Sequence, residues 1–298
     1  MSLARSTFVQ ASFTLISKLL GYARDRAISN IIGAGPFGDA FATAQMFPNL
    51  FRRLFAEGAF SQAFVPLYAR TQQQQGMEGA ERVAAETLSA LAFMTAVITI
   101  VAQIAMPWIM QVIHAGYRNQ PEYFSFAILL TQLTMAYLVG MSASALFAGV
   151  LNTAGRFALS AAAPVFLNLC ILAAVLPAPD PKTAALWAAI ALAASGVVQA
   201  LLLWWGCLRL GVKLGFRTPR LTPDVRRILV LAAPAAFSAS ATQVNVFVSQ
   251  ALASLEQGAK SWLYAADRLY QLPLGVIGVA IGVALLPRLA RAVASKDI

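Results

Sequence analysis

The chain is poor in the residues that carry most soluble chemistry. Its 298 positions hold one histidine, His114, and two cysteines, Cys170 and Cys207, both set in apolar runs. So small a supply argues against a zinc or iron–sulfur centre, and the cysteines read as small buried hydrophobes rather than a disulfide. Charge is scarce as well: 11% of residues are Asp, Glu, Lys or Arg, against about 25% in an ordinary soluble domain. The 12 acidic residues are dispersed along the chain. Dispersal excludes the clustered carboxylates of a metal-dependent enzyme acting on lipid phosphates, and with no nucleophile–base pair in view the chain does not read as an enzyme. The net charge of +10 would suit a nucleic-acid binder, but the basic residues lie among long apolar stretches, and no nucleic-acid partner is expected.

Hydrophobic residues make up 59% of the chain, which points to lipid as the solvent. Eight helical spans are expected: Thr7–Ile32, Phe37–Tyr68, Glu86–His114, Tyr123–Asn152, Phe157–Leu176, Ala184–Leu210, Asp224–Leu255 and Ala259–Ala292. Turn signals separate them, among them Gln72–Gly79 and Pro177–Pro181. These runs suit helices, which need about 20 residues to cross a bilayer, and are too long for the strands of about 9–11 residues that build membrane barrels. The first span lacks the cleavage pattern of a signal peptide. The fold class is therefore all-α, a polytopic membrane helix bundle. With the N-terminus placed in the cytoplasm, thirteen basic residues fall on that side and three, Arg118, Lys182 and Lys260, on the other, as the positive-inside rule requires.

Six basic residues remain inside the spans: Lys18, Arg24, Arg26, Arg52, Arg53 and Arg268. A charge at the bilayer centre costs about 2.5–3.5 kcal/mol on insertion scales, and such residues face a cavity, a partner or a ligand. At 100° per residue, Ser17, Lys18, Arg24 and Asp25 share an arc of about 120° with Ser6, Gln10 and Thr14, while Arg26 lies outside it. A continuous polar face on a membrane helix lines a cavity. The structural alternative is a Lys18–Asp25 pair that serves packing alone. In the second span Gln45, Asn49, Arg52 or Arg53, and Glu57 recur at helical spacing. Arg53 and Glu57, four apart, suit an ion pair, and Asp39 suits a helix cap. In the eighth span Arg268 and Gln271 precede a stripe of glycines that would let a neighbouring helix approach; Asp267 points away from Arg268, toward another basic partner.

These segments are similar to the MurJ/MviN family of lipid II flippases in the multidrug/oligosaccharidyl-lipid/polysaccharide exporter superfamily. The resemblance is carried by SKLLGYARD (Ser17–Asp25), DAFATAQMFPNLFRRLFAEGAFSQAFVP (Asp39–Pro66), LNTAGRF (Leu151–Phe157), APVFLNL (Ala163–Leu169) and Tyr264–Pro287. It implies a V-shaped transporter of two six-helix lobes in the bacterial inner membrane, with alternating access and a central cationic cavity for lipid II. Matching positions imply substrate binding by Lys18, Arg24, Arg52 and Arg268, and a functional or gating role for Asp39 and Glu57. Ser17, Asp25, Asn49, Arg53, Asp267 and Gln271 are the expected supporting residues. Where the family has arginine, this chain has Lys18, which keeps the charge without the planar fork. On this resemblance residues 1–210 form the six-helix N-terminal lobe, 211–223 a basic cytoplasmic linker, and 224–298 the first two helices of a second lobe. The chain then reads as an N-terminal fragment, unable to flip lipid by itself. No cofactor is implied; the family's driving force is tied to membrane potential and ions, a monovalent cation among them. Membrane lipids and cell-wall synthesis proteins complete the expected partners. An exporter of another polyprenyl-linked glycan, or a non-transporting membrane scaffold, are the competing readings.

Overall fold

The computed structural model describes residues 3–55, 59–267 and 269, with backbone alone at 3–11, 52–55, 59 and 235–244. Within them there are helices and turns and no β-strand. The helices are α1 (Leu3–Ile31), α2 (Pro36–Phe55), α3 (Ala59–Ile113), α4 (Pro121–Met135), α5 (Tyr137–Thr153), α6 (Phe157–Val175), α7 (Pro181–Arg209) and α8 (Pro223–Ala253), with a 3-10 turn at Ala115–Tyr117. A further helix begins at residue 259 and runs through 267. Prolines that read as turn signals open four of these helices, where a missing N–H costs nothing: Pro36, Pro121, Pro181 and Pro223. Asp180 caps α7, its Oδ1 accepting the Thr183 N–H at 3.0 Å. The Thr183 hydroxyl, donating to Asp180 Oδ2 at 2.7 Å, and then that N–H hold the Asp180 carboxyl below its usual range.

Two boundaries differ from the sequence expectation. The Gln72–Gly79 stretch, read as a turn signal, is helical, exposed from Gln73 to Glu78 and broken at Gly76 alone. Glutamine is a good helix former, and Arg82 donates to Gln75 Oε1 across the break at 2.9 Å. Gly76 takes φ +73°, a value that a Cβ would penalise. The expected fourth span divides at Ala136, whose N–H turns back to Leu133 O at 3.2 Å.

Among the described residues four stretches are long and apolar enough to cross a membrane: Phe60–Ile113, Pro121–Thr153, Phe157–Val175 and Pro181–Arg209. The surface is inverted relative to a soluble protein. Phe93, Val97, Ile100, Ile104, Trp108 and Val112 form an exposed apolar stripe down α3, while Arg24, Asp39, Asn168 and Lys260 are buried. Hydroxyls in the apolar helices satisfy themselves on the preceding turn, as Thr87 does on Val83 O and Thr131 on Ala127 O. Gln103 and Gln132 exchange amide bonds of 2.8 Å between α3 and α4. Gly140 and Gly196 bring α5 and α7 so close that a side chain at either would strike the facing backbone, the small-residue packing expected where lipid provides no hydrophobic drive.

The turns gather at two ends. At one, Lys182 pairs with Glu122 at 2.8 Å, Gly116 N–H meets Ser254 Oγ, and Gly258 N–H meets Asp39. At the other, Lys213 N–H bonds Glu81 and Arg217 N–H bonds Ser89, each at 2.8 Å. The expected linker is thus non-helical from 212 to 222 yet fastened, with Val212 and Leu214 buried in the core of that end.

Candidate functional site

The polar face of α1 points inward. Leu15, Ile16 and Leu19 are exposed on its outer side, and Ser17, Lys18, Arg24 and Asp25 line a cavity of about 290 Å³ with Gln45 and Asn49 of α2 and Asn168 of α6. A second cavity of about 460 Å³ adjoins it, walled by the same Ser17 and Lys18 and reaching Ser61, Asn152 and Gln199. Lys18 stands between the two and makes no hydrogen bond or ion pair among the described residues.

Arg24 is almost fully enclosed, 7% exposed. Its Nε and Nη2 reach Asp25 Oδ1 at 3.0 and 2.7 Å, and its Nη1 donates to Asn168 Oδ1 at 2.9 Å. Asn168 in turn donates to Ser17 O at 3.0 Å, tying α6 to α1. The Tyr264 hydroxyl lies 3.0 Å from Asp25 Oδ1 and 3.1 Å from Gln45 Oε1. One hydroxyl proton cannot serve both. With the Gln45 amide turned over, its Nε2, otherwise unpartnered among the described residues, donates to the hydroxyl, which donates to Asp25.

Two of the structural alternatives are set aside here. Asp25 pairs with Arg24, not with Lys18. The two are neighbours about 100° apart on the helix, and the reach of the arginine overrides the backbone angle. Asp39 is no helix cap: its carboxylate is wholly buried and turned to another end of the fold. Ser17, Lys18, Arg24, Asp25 and Asn49 are brought to one cavity; Arg26 and Asp267 are exposed. Glu57, Arg268, Gln271 and the side chains of Arg52 and Arg53 lie outside the described residues. Sequence reasoning missed Asn168. Its signal was present, a lone amide in the apolar Ala163–Leu169 segment.

A second network closes one end of the bundle. Asp39, in the first turn of α2, accepts from the Tyr117 hydroxyl at 2.7 Å, Gly258 N–H at 2.8 Å, Ser261 N–H at 2.9 Å and the Ser261 hydroxyl at 2.7 Å. Burial and the Asp39 contact push the Tyr117 phenol up, so it remains a donor. Beside it lies Lys260, counted from sequence among the basic residues on the side opposite the N-terminus, and here fully buried. Its Nζ donates to Thr43 Oγ1, Ile113 O and His114 Nδ1 at 2.8, 2.7 and 2.9 Å. Just past the end of α3, His114 stacks on Tyr117 with ring centres 4.5 Å apart. Burial, and then the Lys260 charge, hold its imidazole down at about 3.

Comparison with known proteins places these features in a family. The family model described as lipid II flippase MurJ matches residues 28–298. A probable lipid II flippase MurJ of Rhizobium tropici is 42% identical over 303 residues, covering 100% of this chain and 57% of the relative. The lipid II flippase MurJ of Burkholderia cenocepacia is 37% identical over 303 residues, covering 100% and 59%. The chain thus spans less than two thirds of the length of these relatives. A solved structure of a lipid II flippase MurJ in an inward closed conformation superposes with a TM-score of 0.80 at 22% identity, covering 95% of this chain and 59% of the other. An inward-facing multidrug MATE transporter of the MOP superfamily gives 0.67 at 18% identity, covering 89% and 61%. At these identities the structural matches speak for the fold.

Proposed function

Because the chain belongs to the lipid II flippase MurJ family, we propose that it acts in moving lipid II across the bacterial inner membrane, from the cytoplasmic to the outer leaflet, by alternating access. The observation that supports this reading is the cavity along α1, polar and cationic inside a bundle whose outer surface is apolar. A pyrophosphate-linked sugar–peptide headgroup cannot enter hydrocarbon unaided, since a buried unpaired charge is prohibitively costly. Fixed cations replace the lost hydration with charge-assisted contacts.

The two described cations have different parts. Lys18 is the available charge, a flexible ammonium at the junction of two cavities. Arg24 is held in a fixed plane by Asp25 and Asn168, so an incoming phosphate competes with Asp25 for a guanidinium already oriented toward it. Arg52 and Arg268 join them in this proposal. The basic bias of the 209–227 segment and its neighbours supports a cytoplasmic N-terminus, which would put the Asp39 junction at the opposite face.

Complementation tests the reading. In a strain depleted of its own lipid II flippase, the gene for the whole protein should restore growth. Lys18→Ala, Arg24→Ala, Arg52→Ala and Arg268→Ala, made singly and expressed normally, should not. Full growth of all four overturns the proposed binding role.

A further inference from the structure

The end junction holds a titratable pair that the transport reading does not use. Lys260 offers three ammonium protons to three acceptors: Thr43 Oγ1, Ile113 O and His114 Nδ1. The Thr43 hydroxyl spends its own proton on Asp39 O at 2.7 Å, which leaves its oxygen to accept from the lysine. The same oxygen lies 3.3 Å from His114 Nδ1, with no proton left to give it. Each Lys260 donor is matched, and His114 Nδ1, 2.9 Å from the ammonium, is the acceptor of the third. The imidazole proton therefore sits on Nε2, where it is buried with no hydrogen-bond partner among the described residues.

The groups around the pair come from every element packed there. Asp39 and Thr43 face it from α2, Tyr117 from the 3-10 turn, Tyr123 of α4 from behind Tyr117, and Ser261 from the helix that carries Lys260. Asp39 is the carboxylate in this set, and its oxygens already accept from Tyr117, Gly258 and Ser261. It has little left with which to offset a second positive charge.

We propose that His114 and Lys260 form a proton-binding switch: a proton taken up at His114 Nδ1 breaks the Lys260 contact and releases the 254–261 segment from α2 and the 114–117 turn. Protonation removes the acceptor and places an imidazolium 2.9 Å from an ammonium, an arrangement that separation and hydration relieve. Burial lowers the Lys260 ammonium as well, to about 7, so the closed junction binds fewer protons than the open one at both groups and acid favours opening. The step that belongs to His114 is the one below the ordinary imidazole value near 6.5, where Lys260 is charged in either state. One proton gives at most about a tenfold change in the opening equilibrium per pH unit. The argument stands on these contacts. Its meaning for transport, proton uptake as that end opens, rests on the proposed function.

The test reads this imidazole directly. In the intact protein in nanodiscs, ¹⁵N-histidine NMR, with the His114 signal assigned as the one lost in His114→Asn, reads its protonation, and hydrogen exchange of the 254–261 amides, corrected for intrinsic rate, reads opening. The expected result is a neutral, Nε2-protonated ring at pH 7.5. Protection at 254–261 should then fall by up to about tenfold per pH unit as the ring protonates. His114→Asn, which keeps an acceptor for Lys260 but does not titrate, should flatten that dependence. An Nδ1-protonated ring overturns the proposal, as does titration without loss of protection, or the same pH dependence in His114→Asn. Neither readout involves substrate, so failure here is distinct from failure of the flippase reading.

Discussion

Lys18 and Lys260 carry the same charge into one helix bundle and meet opposite surroundings. Lys260 is fully buried and gives each ammonium proton to an acceptor. Lys18 lines two adjoining cavities and has no hydrogen-bond partner among the described residues. A buried ammonium is tolerable when its protons are matched, and then it works as a fastening. An ammonium beside a cavity, with its protons unmatched, is available to something that enters. The same contrast separates the two regions. The Asp39–Lys260 junction is buried and nearly saturated with internal bonds. The α1 cavity holds polar groups around open space.

The largest effect should come from breaking the junction at its carboxylate. Asp39→Ala removes the acceptor of four donors drawn from two segments, the 114–117 turn and 254–261. Hydrogen bonds to a charged group contribute about 1.5–3 kcal/mol each, and donors left buried without a partner cost comparably, so a loss of at least about 3 kcal/mol is expected. Unfolding in detergent should register it, together with lost exchange protection at 254–261. A variant as stable as its parent would remove Asp39 from its role as fastening.

Lys260→Met should cost less, about 1–3 kcal/mol, because it leaves acceptors rather than charges unmatched. Its second consequence is a shift in titration. In the parent, burial first and Lys260 second hold His114 at about 3. The contribution of His114 to the closed junction is therefore complete above the ordinary imidazole value near 6.5, and is lost as the pH falls from there toward 3. The substitution removes the second cause, so His114 should titrate higher and the acid-sensitive window should narrow. Histidine NMR of the variant checks this, and an unchanged titration would show that the ammonium does not act on the ring.

How the two regions read from sequence follows from the range of the contacts. The α1 cavity was legible because helical periodicity is local: Ser17, Lys18, Arg24 and Asp25 share a face, and that face points inward. What turned on side-chain reach or on distant segments was not legible. Adjacent residues on a helix diverge, yet Arg24 bends back to Asp25. Its other partner, Asn168, is 144 positions away. Lys260 followed a Glu-Gln-Gly turn and counted among the basic residues on the side opposite the N-terminus, because nothing local places it against Thr43 and Ile113, 217 and 147 positions distant. Asp39 looked like a cap for the same reason. Its position in the first turn of α2 is a local fact, and its four donors come from far along the chain.

The smallest expected effect on stability sharpens the contrast most. Lys18→Met removes a charge with no hydrogen bond or ion pair to a described residue, so unfolding should move by no more than about 0.5 kcal/mol. Complementation should nevertheless be lost, because the charge that would meet an entering phosphate is gone. Lys18→Arg should restore growth, since it returns the charge and adds a planar fork suited to phosphate. A large drop in stability in Lys18→Met would make Lys18 a fastening like Lys260 and erase the distinction. Unchanged stability with unchanged growth would strip Lys18 of its proposed anion contact, and would pass that role to Arg24.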